Sequence, residues 1–345
     1  MAKILIGWEI GGGQGHGVRI HNHKEALEAQ GHQVVVYLKL PQSAIPQGKQ
    51  GPFWPSQLHK AIPTHSLGDV LIGMGITIPG LFKSIVAQWE AILTRENPDI
   101  IVADFAPALL TASRNRIPTI LIGNGYDCPP SDLDSYPSLT GWEPLSEQEA
   151  TKIIGVERLP EIFQADHVVV GAIPWIDPYE KSRVGQHFLP MAESESTKQG
   201  REVFIYTPHG VPKTLRTCLE KSGLPLFYSN GKTYPWSEIA RRSCLVVSHG
   251  GCGTVTQAAM AGLPQIAITG DLEKLNYGRQ IKERQLGDWF ITPQFKEDQF
   301  IKSLKMLYGD QTYLDRAKEE AMNLRDQMGD SPIERVKEIV IHLGF

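Results

Sequence analysis

Short apolar runs alternate with amphipathic stretches along most of the chain, the pattern of strands and crossover helices that builds a parallel sheet. "KILIGW" reads as a first strand running into a glycine-rich loop. A helix near 17–30, closed by Gly31, and a second strand, "QVVVYL", follow. A helix over "LFKSIVAQWEAILTREN" leads through "NPD" into the strand "IIVAD". After it come "APALLTASRNR", the strand "IPTILIG", a segment from 124 to 145 rich in Pro, Asp and Ser, and the strand "ADHVVVG". Periodicity fades between 172 and 200, where "AIPWIDPYEKSRVG" gives way to the polar "AESESTKQG". A second series then begins, with strands in "REVFIYT", "LPLFYS", "CLVVSH" and "LPQIAIT". The pattern predicts an α/β protein with an N-terminal domain at 1–180, a linker at 181–200 and a second domain at 201–330. The last helix, 331–345, is placed to pack back on the first domain.

The length of 345 residues fits two cores better than one. A formal net charge of -4 gives no cationic surplus, so nucleic acid is excluded as a partner class and any anion must be held locally. Cys128, Cys218, Cys244 and Cys252 lack metal-ligand or CxxC spacing, and reduced core thiols are expected. No apolar run reaches the roughly 18 residues of a membrane span. The first apolar run is too short for a signal segment, so a cytoplasmic chain is expected, with at most peripheral membrane contact.

"GWEIGGGQGHGVRI" sets six glycines around His16 directly after the first strand. A dinucleotide loop would need G-x-G-x-x-G and an acid after the second strand. Counted from Gly11 the sixth position is His16, counted from Gly13 it is Val18, and Lys39 stands where the acid would be. No Lys-Ser/Thr follows, so a P-loop is also excluded. The loop lies at the carboxyl edge of the sheet, where open α/β folds bind ligands, and Gly13 and Gly15 let backbone approach one closely. His16 there is suited to proton transfer, or else caps the helix or bonds loop carbonyls. Asp104 ends a buried strand at the same edge. It either holds the tautomer of His16 or caps the next helix, and Glu9 is a rival carboxylate. His21 and His23 read as surface or packing residues.

In the second half, "CLVVSHGGCGTVTQAAMAGLP" is strand, glycine turn, helix and stop. Free amides and the dipole at that helix start make an anion site, with access from Gly250, Gly251 and Gly253 and polar groups from His249 and Thr254.

H-G-G-x-G-T before a helix and "AGLP" resembles the donor signature of the family-one nucleotide-sugar glycosyltransferases and of the lipid II glycosyltransferase. "GGGQGH" resembles their first loop, whose histidine is commonly a base, and "PDIIVADF" resembles the strand carrying its aspartate. The resemblance implies the glycosyltransferase B fold, two Rossmann-like doubly wound domains facing across a cleft. It implies inverting transfer of a hexose-type sugar from a UDP- or TDP-sugar to a hydroxyl on a small or lipid-like acceptor. His16 would be the base, oriented by Asp104, and the "HGGCGT" turn would hold the diphosphate. No metal and no other cofactor is implied, and "DLD" at 132–134 reads as turn chemistry.

The chain departs from that pattern at two places. Gln257 stands where a glutamate usually grips the ribose, and the Asp-Gln pair that contacts the donor sugar falls on "GDLEKLNYG", giving Asp271 or Glu273 as the acid. Asn276 matches a residue that often follows the pair. Leu81, Phe82, Phe53, Trp54 and Trp89 are expected mostly in the core, with an apolar acceptor surface if any line a cleft and 124–145 as a lid over it. Two alternatives stay open: an epimerase or hydrolase on the same fold, which would need further acids and bases around the sugar, and a non-catalytic nucleotide-sugar-binding subunit.

Overall fold

Strands buried on both faces read as unbroken apolar runs, and such strands pair in parallel under helices. A computed structural model describes residues 1–52, 54, 64–185, 187–188, 200–208, 210–292, 295–327 and 329–345. Most of the expected linker, and Phe53, lie outside the described residues. The chain divides into two units, Met1–Leu189 with Asp330–Phe345, and Pro190–Gly329.

In unit 1 the order is β1 (Lys3–Trp8), α1 (Gln14–Ala29), β2 (Gln33–Leu38), β3 (Lys49–Gln50), α2 (Leu67–Gly73), α3 (Leu81–Glu96), β4 (Ile100–Asp104), α4 (Pro107–Ser113), β5 (Thr119–Gly123), α5 (Gln148–Ile154) and β6 (His167–Val170). Among the described residues these strands form one sheet ordered β3-β2-β1-β4-β5-β6. Every described pairing in it is parallel. Helix α1 begins at Gln14, so His16 lies in its first turn and not in the loop before it. Gly13, with φ 89°, supplies the left-handed backbone that starts the helix.

Unit 2 contains β7 (Glu202–Tyr206), α6 (Lys213–Ser222), β8 (Leu226–Tyr228), α7 (Trp236–Arg242), β9 (Ser243–Ser248), α8 (Cys252–Met260), β10 (Gln265–Thr269), α9 (Leu272–Glu283), β11 (Gly287–Ile291), α10 (Glu297–Gly309) and α11 (Gln311–Asp326). Its sheet is ordered β11-β10-β9-β7-β8. Successive side chains alternate across it: Val203, Ile205, Leu245 and Val247 pack with Leu215, Phe300 and Leu304. Phe204 and Val246 pack on the other face with Phe227, Ala258 and Leu263. None of Cys128, Cys218, Cys244 and Cys252 forms a disulfide.

The strand order reverses between β1 and β4 in unit 1 and between β7 and β9 in unit 2. Ligands of open α/β sheets bind at such reversals, outside the carboxyl ends of the strands. The two glycine-rich segments follow β1 and β9, one at each reversal.

The chain returns to unit 1 at its far end. Helix α12 (Pro332–His342) buries Val336, Ile339 and Val340 against α1 and β6, in the same core as Ile4, Ile20 and Val169. Ile339→Ala should therefore cost about 2–5 kcal/mol of unfolding free energy, read from the urea midpoint at constant slope. An unchanged midpoint would show that α12 does not close this core.

Candidate functional site

Asp104, the last residue of β4, is wholly buried. A carboxylate there needs partners, because unpaired charge in an apolar interior is costly. Helix α1 supplies two of them from positions three apart, which share a face. His16 places Nδ1 2.8 Å from Asp104 Oδ1. Arg19 grips the same carboxylate with a fork, Nε donating to Oδ2 at 3.0 Å and Nη2 to Oδ1 at 2.6 Å. Burial pushes the Asp104 carboxyl up, but the charges and hydrogen bonds of Arg19 and His16 outweigh it and hold the group down at about 2. Burial likewise opposes the Arg19 charge, and Asp104 and Asp127 more than offset it, so the guanidinium stays protonated.

The donor count favours one histidine tautomer. Arg19 Nη2 carries two hydrogens. One goes to Asp104 Oδ1 at 2.6 Å and the other to Asp127 Oδ2 at 2.7 Å. His16 Nδ1 lies 3.0 Å from Nη2 and is a third, more distant neighbour for those hydrogens. The Asp104 carboxylate can only accept, so a hydrogen on Nδ1 satisfies the 2.8 Å contact, and in the neutral ring this places the lone pair at Nε2. Nε2 lies beside Gly11, where a Cβ would collide with it, and Gly11 holds φ 89°. The ring stacks on Trp8 at 4.9 Å and on Phe105 at 6.3 Å. Phe105 reaches that place with φ 47°, a left-handed conformation that costs a bulky residue roughly 1–3 kcal/mol.

His16, Asp104 and Asp127 also bring ligand atoms within 4.8 Å of one another, a spacing that suits a cation. The cation that Asp104 and Asp127 share is the Arg19 guanidinium.

The rival roles resolve differently from the sequence expectation. Asp104 does not cap α4. Glu9 does, its carboxylate accepting from the amides of Ala108 at 3.2 Å and Leu109 at 2.7 Å and from Trp54 Nε1 at 3.2 Å. Trp54, Phe82 and Trp89 are core residues and supply no acceptor surface. The segment at 124–145 is tied into unit 1: Asp127 takes Arg19, and Cys128 O accepts from Arg183 at 2.8 Å. In the same segment the Leu139 amide donates to His65 O at 2.7 Å. A lid is not the reading these contacts support. His21 is at the surface, while His23 is buried and its Nδ1 lies 2.8 Å from Arg19 O. Asp132 and Asp134 are exposed in a turn.

In unit 2 the turn after β9 opens α8 with no side-chain cap. Its first amides therefore face outward as donors. Gly250 holds φ 75° and packs against Ala267 and Thr269, while a Cβ on Gly253 would meet nothing, leaving that side open to a ligand. The Gly250 amide donates to Ser248 Oγ at 3.1 Å, and the His249 ring meets Tyr206 edge-on at 5.5 Å. Gly251 caps α8 with extended backbone, Thr254 lies in the first turn and Gln257 in the second, both half-buried. Asp271 caps α9, accepting the Lys274 amide at 3.0 Å and pairing with the Lys274 ammonium. Glu273 accepts the Tyr277 hydroxyl at 3.0 Å, and Asn276 is buried. No described helix is long and apolar enough to cross a membrane.

Residues 232–343 match the family described as Erythromycin biosynthesis protein CIII-like, C-terminal domain. No curated protein matches the chain. Among solved structures it is similar to CalG4, the calicheamicin glycosyltransferase, at 14% identity and TM-score 0.67, over 99% of this chain and 98% of that one. It is similar to the spinosyn rhamnosyltransferase SpnG complexed with thymidine diphosphate at 15% identity and TM-score 0.63, over 98% and 100%. It is also similar to the Streptomyces sp. SF2575 glycosyltransferase SsfS6 at 18% identity and TM-score 0.60, over 98% and 99%. These likenesses establish the fold as that of the glycosyltransferase B proteins.

Burial raises the Glu9 carboxyl from 4.5 to about 7, against the amides and indoles that bond it. Between those values the unfolded chain ionises Glu9 while the folded one keeps its proton. Stability is therefore full below pH 4.5 and is lost as pH rises toward 7. Glu9→Gln should gain about 3 kcal/mol relative to the parent across that window in urea titrations. A constant difference between the two proteins would refute the assignment.

Proposed function

We propose that the chain is an inverting glycosyltransferase that moves a sugar from a thymidine or uridine diphosphate sugar to an acceptor hydroxyl, with His16 as general base. The observation that carries this reading is the 2.8 Å contact of His16 Nδ1 with the buried Asp104 carboxylate, which turns Nε2 to the side of Gly11. A protein that only binds sugar nucleotides has no use for such an arrangement. The acceptor O–H proton passes to Nε2 while its oxygen attacks the anomeric carbon. The bond from that carbon to the β-phosphate oxygen breaks on the opposite face, and its electrons leave with the nucleotide. Asp104 stabilises the imidazolium so formed.

The leaving diphosphate gains charge, and the uncapped start of α8 is the group suited to meet it, with amides at Gly251, Gly253 and Thr254 and the Thr254 hydroxyl. These donors do the work a divalent cation does elsewhere, so no metal requirement is assigned. Gln257 would hydrogen-bond the ribose, and Asp271 or Glu273 the sugar. Thymidine diphosphate is the favoured nucleotide because SpnG and VinC, two structures of the same fold, carry it. Acceptors of the aglycone kind follow from the SpnG complex with spinosyn aglycone. A cytoplasmic location accords with soluble substrates of this kind.

Calorimetry with TDP, UDP and GDP, with and without Mg²⁺, should show one diphosphate binding equally well in both conditions. Binding that requires Mg²⁺ would overturn the metal-free reading, and Thr254→Val should weaken affinity by about tenfold, the loss of one hydrogen bond to charge. His16→Ala should leave that affinity unchanged, since it lies in the other unit, and should lower transfer by about 10²–10⁴-fold. Retained turnover in His16→Ala would remove His16 from the mechanism.

A further inference from the structure

The donor count that favours one His16 tautomer depends on a residue that does not touch the histidine through any hydrogen bond. Asp127 lies four residues past β5, buried, with Oδ1 accepting the Asn124 amide at 2.5 Å and Oδ2 accepting Arg19 Nη2 at 2.7 Å. The same Nη2 sits 3.0 Å from His16 Nδ1, within hydrogen-bond range, so three neighbours compete for its two hydrogens. Its second hydrogen is spent on Asp127. If that hydrogen were released, the nearest acceptor would be Nδ1, and an Nδ1 that accepts must carry its own proton on Nε2 instead. The ring would then present a donor where the proposed reaction needs a base.

We propose that Asp127 is a positioning residue that competes with His16 for the Arg19 Nη2 hydrogens and so holds Nε2 free, an inference that rests on the reading of His16 as the base. Arg19 thereby serves two opposed tasks. Its fork keeps the buried Asp104 ionised, and its nearness threatens the tautomer that Asp104 selects. Asp127 reconciles them by taking the one hydrogen that would do harm. A guanidinium hydrogen left without an acceptor is costly, and this shifts the balance toward Nδ1 as its acceptor.

The test uses the full chain labelled with nitrogen-15, with the His16 ring signals assigned through His16→Gln. Ring nitrogen shifts separate a nitrogen that bears hydrogen from a bare one, and they need neither donor nor acceptor. The parent protein is expected to show a protonated Nδ1. In Asp127→Ala the population with bare Nδ1 should rise by about tenfold or more. Asp127→Leu, which fills the space without an acceptor, carries the same expectation should the alanine variant fail to fold. In Arg19→Met/Asp127→Ala the competing donor is gone, and Nδ1 should again bear hydrogen. A protonated Nδ1 in Asp127→Ala and Asp127→Leu alike, or a bare one in the double variant, would overturn the role of Asp127 and leave His16 as base intact. A bare Nδ1 in the parent protein would overturn both.

Discussion

A carboxylate with no exposed surface can stay ionised only if its neighbours supply positive charge and hydrogen bonds in the right directions. Asp104 is in that position at the end of β4, and much of unit 1 is arranged around it. Arg19 gives the charge through a two-pronged contact, and His16 gives a ring N–H. Both come from the first two turns of α1, which can begin at Gln14 because Gly13 takes a left-handed backbone no side chain would tolerate well. The histidine ring then stacks on Trp8 from β1 and on Phe105, the residue after Asp104. The placement of His16 is thus an outcome of pairing a buried charge, not that of a free side chain in a loop.

Unit 2 treats anionic chemistry by a different physical route. It offers backbone amides and a helix dipole, which need no charged side chain and carry no counter-charge to bury. Gly250 and Gly253 matter there for unlike reasons: the first for a positive φ and tight packing on β10, the second for the open space a side chain would fill. One sheet positions a titratable group and the other a fixed field, and both do so at the strand-order reversal that the parallel topology creates.

How much of this was legible in the sequence depended on whether the signal was local. Strands such as β4, β5 and β9, buried at every position, announced themselves as unbroken apolar runs. His16, Asp104 and the turn at 249–254 could be named because each sits at the end of such a run. Edge strand β11, "GDWFI", is half-buried and mixed in polarity, and two-residue β3 is too short to carry a period, so neither was read. Arg19 was missed although its spacing from His16 was visible. Placing the helix start near 17 put His16 in a loop, and a loop has no i, i+3 face. Asp127 had no local signal, because its partner lies 108 residues away. Glu9 was legible as a carboxylate but its capping of α4 depends on β1 and β4 lying side by side.

The return of α12 to unit 1 has a consequence for how the chain is made. Val336, Ile339 and Val340 complete a core that also holds Ile20 of α1, the helix that carries His16 and Arg19. During synthesis those residues leave the ribosome only after the whole of unit 2. At ordinary elongation rates unit 1 waits on the order of ten seconds with that face of α1 uncovered. Unit 2, continuous in sequence, has its own core in hand before then. The half bearing the proposed base is therefore finished last, after the unit that carries the uncapped start of α8.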